Sequence, residues 1–471
     1  MMRLALLLTA LLLAGCPVHN PTTVTLPVEP PPAYLGPQPV AQAGIPVEQW
    51  WLAFNEEQLT LLMNELFANN LELTQAIARM EQVEAAFRIT RSAQSPSLAA
   101  GASASRSRQP GLIDDYVGDN HQMSVAAGFE LDLWGKLAAQ SRAASKDLVA
   151  SRQDVQTLYL GLSARLADLY FLAVEQRAQL VLTDQLIASF ADTAARVESR
   201  YRRGLVPAVD MYQARQNLAG AKAARPVFEA RLAEAEHAIG VLLGHYPEPT
   251  AVEKLVQVPA APGVFAVGIP AELISQRPDL QAALQRVAAA DARVAAAIAD
   301  RFPSISLSGN YGSLRQEVAA GLIKGEFWSL LGNLALPVID GGRRRAEVDR
   351  QEAVLREAVA GYQQKVLAAF QEVEDALANN YASGQRVELL IETSRATGAS
   401  LRLSTDRYLA GLDDYLPVLT AQRADAETRS RLISAQRQLL ADRISLARAL
   451  GGSWMQSQMD ARVQIEKEKR Q

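Results

Sequence analysis

Two stretches of this chain, residues 136–203 and 343–410, each run for about seventy residues without a proline. As helices they would each be roughly 100 Å long, at about 1.5 Å of rise per residue. Helices in compact domains average about three turns, so rods of this length belong to a coiled coil, a helical tube or a spacer between distant places. Any account of function has to explain why one chain carries two of them.

A length of 471 residues would by itself suggest about three domains, but the rods argue against that count. The net charge is only −4 with both signs interspersed, so no basic field points to nucleic acid. Four histidines form no HExxH pair, and no phosphate-loop glycine pattern or GxSxG elbow is found. The chain therefore reads as a non-enzyme with no cofactor and no metal.

The single cysteine, Cys16, closes a leader: Arg3, an apolar run over residues 4–13, then Leu13-Ala14-Gly15-Cys16. A run of that length is a secretory signal, too short to span a bilayer as a helix. Leu-Ala-Gly-Cys also resembles the bacterial lipobox, in which the cysteine is acylated and becomes the mature N-terminus. Several acyl chains, at about 0.8 kcal/mol per buried CH₂, would then hold the protein to a membrane. Pro17 stands where lipoproteins kept in the inner membrane usually carry Asp, which favours the outer membrane. The remaining chain has no apolar run of eighteen or more residues. A span would have to be built from strands.

Taken in order, residues 1–15 read as leader and 16–50 as a Pro-rich, extended tether. Residues 51–246 form a first unit, 247–270 a connector, 271–452 a second unit and 453–471 a charged, poorly ordered tail. Each unit reads helix, two strands, rod and return helix. Asn69-Asn70 should break the first helical region, 56–91. An offset of 207 takes Arg79 to Arg286, Pro96 to Pro303, Tyr201 to Tyr408, Gly204-Leu205 to Gly411-Leu412 and Leu243-Gly244 to Leu450-Gly451. One offset over so many landmarks is an internal repeat.

The strands alternate. Met123, Val125, Ala127, Phe129 and Leu131 oppose polar or small neighbours, and Ile305, Leu307, Gly309 and Tyr311 do the same. Trp328, Leu330, Gly332, Leu334, Leu336 and Val338 mark the last strand, while the first, near 95–108, is weak. Four strands of about ten residues suit a tilted membrane strand with one face for lipid and one for a lumen. Four cannot close, so other copies must complete the sheet. Along the first rod Tyr159, Leu166, Ala173, Leu180 and Ile187 lie seven apart with Leu162 and Leu169 beside them, a left-handed seam that falters at Gln176 and Thr183. Ala138, Ala139, Ala143 and Ala144 would let helices approach closely.

Glu130-Leu131-Asp132-Leu133-Trp134-Gly135-Lys136, Pro270-Ala271-Glu272-Leu273-Ile274-Ser275-Gln276-Arg277-Pro278-Asp279-Leu280, Phe302-Pro303-Ser304-Ile305-Ser306-Leu307 and Pro337-Val338-Ile339-Asp340-Gly341-Gly342-Arg343, with the turn over 408–423, resemble the TolC-like outer-membrane efflux proteins. The lipidated branch typified by OprM is the nearest pattern. The resemblance covers nearly all the chain, 50–454. It implies a mixed, mainly α fold: a homotrimer with one twelve-stranded outer-membrane β-barrel, four strands per chain, continuous with a periplasmic α-helical coiled-coil barrel. Its partners would be a periplasmic membrane-fusion adaptor, an inner-membrane drug transporter of resistance-nodulation-division or major facilitator type, and outer-membrane lipid. Such a duct passively conducts small toxic compounds outward. A type I protein-secretion duct and a lipid-anchored coiled-coil scaffold without a pore are the alternatives.

By the same resemblance the helical turns at the periplasmic end constrict the tube. Leu416 would be an apolar gate residue. Thr420 stands where the lipidated branch often has an aspartate ring, leaving Asp413, Asp414 and Asp210 to supply charge. Acids brought together by symmetry would favour cations and raise one another's pKa. Arg202 and Arg203, with Tyr201 and Tyr408, are candidates for a latch across the tip. Gly204-Leu205 and Gly411-Leu412 are candidate adaptor contacts. Arg343, Arg344 and Arg345 begin the second rod at its unfavourable dipole end, which suggests headgroups or polar neighbours there.

Overall fold

A computed structural model describes residues 19–23, 25–26, 29–37, 49–110, 115–248, 255–318 and 321–468. The leader and Cys16 lie outside the described residues. The chain divides into two compact units.

The first unit comprises residues 1–27, 79–152 and 282–364. It holds four antiparallel strands in the order β1-β2-β3-β4: Ser97–Gln109, Tyr116–Leu131, Ser304–Val318 and Gly321–Ala335. The strands are longer than alternation alone suggests, since hairpin pairing continues to Gln109↔Tyr116 and Val318↔Gly321. Backbone hydrogen bonding carries the ladder outward where both faces are polar, as at Asn120↔Gln316.

Register decides what the sequence could show only strand by strand. Leu98 sits opposite Ala127, Val125 opposite Tyr311, Phe129 opposite Leu307, Tyr311 opposite Trp328 and Ile305 opposite Leu334. Because side chains alternate with period two, these pairings put the named apolar residues of all four strands on one face. Gly101, Ser124, Ala126, Asn310 and Ser329 fall on the other, as do Leu314, Ile323, Phe327 and Leu331. Trp328, Leu330 and Leu334 are exposed. Within the chain β1 and β4 are edges, with one neighbour each.

Both rods start directly beyond strands. The first, α3 (Lys136–Arg202), and the second, α7 (Arg343–Leu409), are each 67 residues long, and their ends keep the offset of 207. A carboxylate caps each start. Asp132 accepts from the backbone N–H of Leu137 and Ala138, and Asp340 from those of Gly342 and Arg344, which satisfies donors that a helix leaves orphaned. Trp134 stacks on Phe302 at 5.0 Å and donates to the Pro303 carbonyl at 2.7 Å. The preceding helix α6 (Pro278–Ala299) brings Ala295 and Ala296 against Ala139, the close approach its alanines allow. The tether is pinned here: His19 and the Thr22 N–H both reach Asp291.

The second unit comprises residues 28–78, 153–281 and 365–471. It contains α1 (Glu57–Asn69), the start of α2 (Leu71–Ser92), the return helices α4 (Ala208–Leu242) and α8 (Tyr415–Leu450), a short α5 (Pro270–Gln276), and α9 (Trp454–Glu468). Asn70 makes the break between α1 and α2, accepting from Leu73 N–H and donating to the Leu242 carbonyl. On the seam, Tyr159, Leu166 and Ala173 are fully buried, Leu180 and Ile187 half-buried. Gln176 and Thr183 are buried too, polar as they are. One window of α3 is long and apolar enough to cross a membrane by composition, contrary to expectation, but 61% of it is buried inside the protein, as in a core helix.

Trp50–Phe54, ahead of the first helical region, is a short 3₁₀ helix with Trp50 fully buried. Two segments depart from the sequence reading. The tether is less loose than its prolines imply: Tyr34 is buried, and Glu374 accepts from Leu35 and Gly36 N–H at 2.8 Å each. The described part of the tail is a helix: α9 buries Trp454, Met455, Met459 and Arg462, spaced along one face, while Asp460 is exposed. Arg277 of the quoted motif is also buried; it holds Asp279, Glu372 and the Ala449 carbonyl. Burial alone would push the Asp279 carboxyl up, but the Arg277 guanidinium more than offsets this and keeps it below its ordinary value.

Candidate functional site

The ends of α3 and α7 and the starts of α4 and α8 meet in one cluster, which carries nearly every residue singled out for gating. Its core is Ala194, Val197, Met211, Ala214, Tyr408, Tyr415, Val418 and Leu419. Tyr408 and Tyr415 lie 5.5 Å apart, and burial pushes the Tyr415 hydroxyl up to about 12.

Both rods stop the same way. Gly204 and Gly411 each have φ of +74°, where a side chain would strain the backbone by about 1–2 kcal/mol. Around the first, Gly204 N–H reaches the Tyr201 carbonyl and Leu205 N–H the Arg200 carbonyl; around the second, Gly411 reaches Tyr408 and Leu412 reaches Arg407. This paired bonding closes a helix C-terminus and turns the chain back. It leaves Leu205 and Leu412 exposed at matching positions.

The cation that spans the rods is Arg200, which the sequence reading passed over. Its Nη1 donates to the Tyr408 carbonyl at 2.9 Å, and its guanidinium lies 4.5 Å from the Tyr408 ring centre. Arg202 instead pairs with Glu198 in its own helix, and Arg203 with Ser199. Glu198 also takes Arg215 of α4 at 3.2 Å, so one carboxylate ties rod to return helix. Tyr201 points outward, while Tyr408 is buried.

Asp413 accepts two bonds from Arg407, at 2.6 and 3.0 Å. Those bonds hold its carboxyl below the usual range, so it is ionised but already paired. Asp414 occupies the N-cap position of α8 and Asp210 the first turn of α4. Burial, with repulsion from Asp414 added, raises the Asp210 carboxyl above its ordinary value. Asp210 therefore binds its proton more readily folded than unfolded, and the stability it contributes is lost as pH rises through its raised folded pKa. Asp210→Asn is expected to flatten stability against pH just above the usual carboxylate range, in thermal unfolding between about pH 3 and pH 7; an unchanged slope would count against titration of Asp210 there.

Leu416 and Thr420 lie one turn apart on α8, both exposed, with the Thr420 hydroxyl donating to the Leu416 carbonyl at 3.0 Å. Behind this face α8 is tied to α3 by a polar ladder: Arg437 to Asp168, Ser434 to Glu175, Gln179 to the Ser430 carbonyl, Arg429 to Gln185, and Gln422 to Thr193. No cluster of metal-ligating side chains occurs among the described residues.

Comparison with known proteins gives one consistent answer. A family model described as outer membrane efflux protein matches residues 62–245 and again 269–452, with starts and ends both 207 apart. The outer membrane protein OprJ of Pseudomonas aeruginosa is 32% identical over 420 residues, covering 88% of each chain. The solvent efflux pump outer membrane protein SrpC of Pseudomonas putida is 30% identical over 417 residues, 86% of this chain and 87% of that one. Among solved structures, the outer-membrane channel OprN superposes with a TM-score of 0.82 at 26% identity, over 92% of this chain and 100% of OprN.

Proposed function

The chain belongs to the outer membrane efflux protein family, and from that premise we propose that it is the exit duct of a tripartite pump, conducting small toxic compounds from an inner-membrane transporter and a periplasmic adaptor to the exterior. It resides in the outer membrane and is a channel, not an enzyme. One observation carries the mechanism: a four-stranded sheet, apolar on one aligned face and open at both edges, continues through short capped junctions into two rods of 67 residues. Unpaired edge groups in a bilayer cost several kcal/mol each, roughly, so β4 of one copy must pair with β1 of the next. Three copies close twelve strands around a lumen, where eight would fill with side chains. Cyclic symmetry leaves no edge over. The rods and return helices then form a tube through the periplasm, built from the two repeats, with the tether and α9 as a belt around it.

The relatives' names, which mention solvent, toluene and pyoverdine, favour small compounds over secreted proteins as cargo. The partners inferred are a membrane-fusion adaptor, meeting the turns at Gly204-Leu205 and Gly411-Leu412, and a transporter of the resistance-nodulation-division or major facilitator type. The test is single-channel conductance of the purified oligomer in planar bilayers. Reproducible silence from a correctly folded oligomer would sink the duct. Deleting the chain from its host should raise sensitivity to solvents and drugs without changing secreted protein; the reverse pattern would assign it to secretion.

Two side chains can be tested directly. Leu416 is exposed on the single chain, as a side chain meeting its symmetry mates on a threefold axis would be. Leu416→Ala and Leu416→Ser should both raise conductance and admit vancomycin; unchanged conductance in both would remove Leu416 from the constriction. Cys16 is proposed as the acylated anchor. Cys16→Ala should abolish labelling by radioactive palmitate, and persistent label would place acylation elsewhere.

A further inference from the structure

We propose that residues 336–339 and the guanidinium groups of Arg343 and Arg345 form a binding site for an anionic phospholipid at the periplasmic rim of the sheet. The proposal rests on the reading of that sheet as a membrane barrel.

The apolar face does not end with β4. Leu334 is followed at the same two-residue period by Leu336 and Val338, after strand pairing has stopped at Ala335. Val338 is 81% and Ile339 92% exposed, so the protein itself gives these two side chains almost no cover. They continue the band of Trp328, Leu330 and Leu334 that the duct turns toward acyl chains.

Three arginines follow, and the junction uses only the middle one. Arg344 Nε donates to the Asp300 carbonyl at 2.8 Å and to its carboxylate at 3.1 Å, and Nη1 reaches Asp340 at 3.2 Å. Lys136 takes the remaining position on Asp300 at 2.6 Å, and Asp340 also caps Gly342. Glu347 is held by Arg350. Arg343 and Arg345 are exposed, and neither makes an ion pair within 4.0 Å among the described residues. Asp349, one turn beyond Arg345, is an exposed carboxylate that makes none either. Two uncommitted cations thus stand a few residues beyond an apolar loop.

A ligand complementary to both parts needs acyl chains for the loop and a net negative headgroup for the arginines. A soluble anion satisfies only the second. A zwitterionic lipid brings an ammonium group that opposes it. An anionic phospholipid supplies both at the depth where the band gives way to charge.

The test is full-length oligomer in nanodiscs of equimolar phosphatidylcholine and phosphatidylglycerol, with retained lipid counted by native mass spectrometry. Phosphatidylglycerol should be enriched roughly tenfold, as two cations near an anionic surface allow, and the enrichment should collapse at high salt. R343Q/R345Q should bring the two lipids to parity. V338S/I339S should lower the number of lipids retained. Equal retention by the unaltered protein, or undiminished enrichment in R343Q/R345Q, would overturn the assignment. Dissociation of the R343Q/R345Q oligomer would overturn it in favour of contact with a neighbouring copy. A conducting oligomer without lipid preference defeats this proposal alone, whereas failure to insert and conduct defeats the barrel reading and this proposal with it.

Discussion

A chain ending at residue 453 is expected not to reach a stable native state. The missing helix, α9, brings Trp454 to 4.8 Å from Trp51 and 5.6 Å from Phe67, whose ring lies 5.4 Å from Tyr159. Trp454 is only 5% exposed, and removing a buried Trp side chain costs about 3–5 kcal/mol. Eight residues on, Arg462 donates to the carbonyls of Phe67 and Asn70 and to the Thr74 hydroxyl. The Phe67 carbonyl belongs to the last turn of α1, where a helix leaves acceptors without partners of its own, and that of Asn70 to the junction with α2. Charged hydrogen bonds contribute about 1.5–3 kcal/mol, and the side chain that makes them is 6% exposed. The losses share neighbours and will not add simply, yet together they approach the roughly 5–15 kcal/mol net stability of a typical domain. Trp454→Ala and Arg462→Ala should each lower the unfolding midpoint by several degrees, and the truncated chain should yield no heat-resistant oligomer. A truncated chain that assembles and melts like the full one would refute a structural role for α9.

Arg200→Ala is expected to open the tip. Arg200 joins α3 to α7 by a charged hydrogen bond, about 1.5–3 kcal/mol, and by its position over the Tyr408 ring, about 0.5–1 kcal/mol at a site of this kind. Loss of about 2–3 kcal/mol from a closed arrangement would shift the balance toward open roughly 30- to 150-fold, provided the bond is absent when the rods part. Conductance and vancomycin entry should rise together. Arg200→Lys keeps the charge but offers no planar fork, and should fall between. Arg202→Ala serves as the control, since that guanidinium is held by Glu198 on its own helix. Equal conductance in Arg200→Ala and the unaltered protein would show that this contact does not restrain the gate.

The contrast between Arg200 and Arg202 shows what a linear reading can and cannot reach. Gly and Pro at 204–207 announced the turn. Which arginine crosses to the neighbouring rod depends on helical phase, about 100° per residue, and the sequence near a helix end does not fix that phase against another helix. The strands were legible because one face is apolar; their outer halves were not, because Asp119, Asn120, Gln316 and Glu317 put polar side chains on both faces and leave no alternation to read. In the tail, charge outnumbers the few side chains that dock, so composition pointed to disorder. Thr420 offers a hydroxyl, not a carboxylate, and that hydroxyl is used on the Leu416 carbonyl. With Asp413 paired to Arg407, the acids that act on each other at the tip are Asp210 and Asp414.

The equal length of the two rods has a consequence for how such a chain can change. Seven residues inserted into α3 alone would keep its seam in phase but carry Arg200 about 10 Å past Tyr408. The same insertion made at the matching place in α7 would bring them level again. Length is therefore a shared property of two rods encoded 207 residues apart and, through the polar ladder that ties α8 to α3, of the return helices too, so a duct of this kind can be lengthened only by matched edits in rods and return helices together.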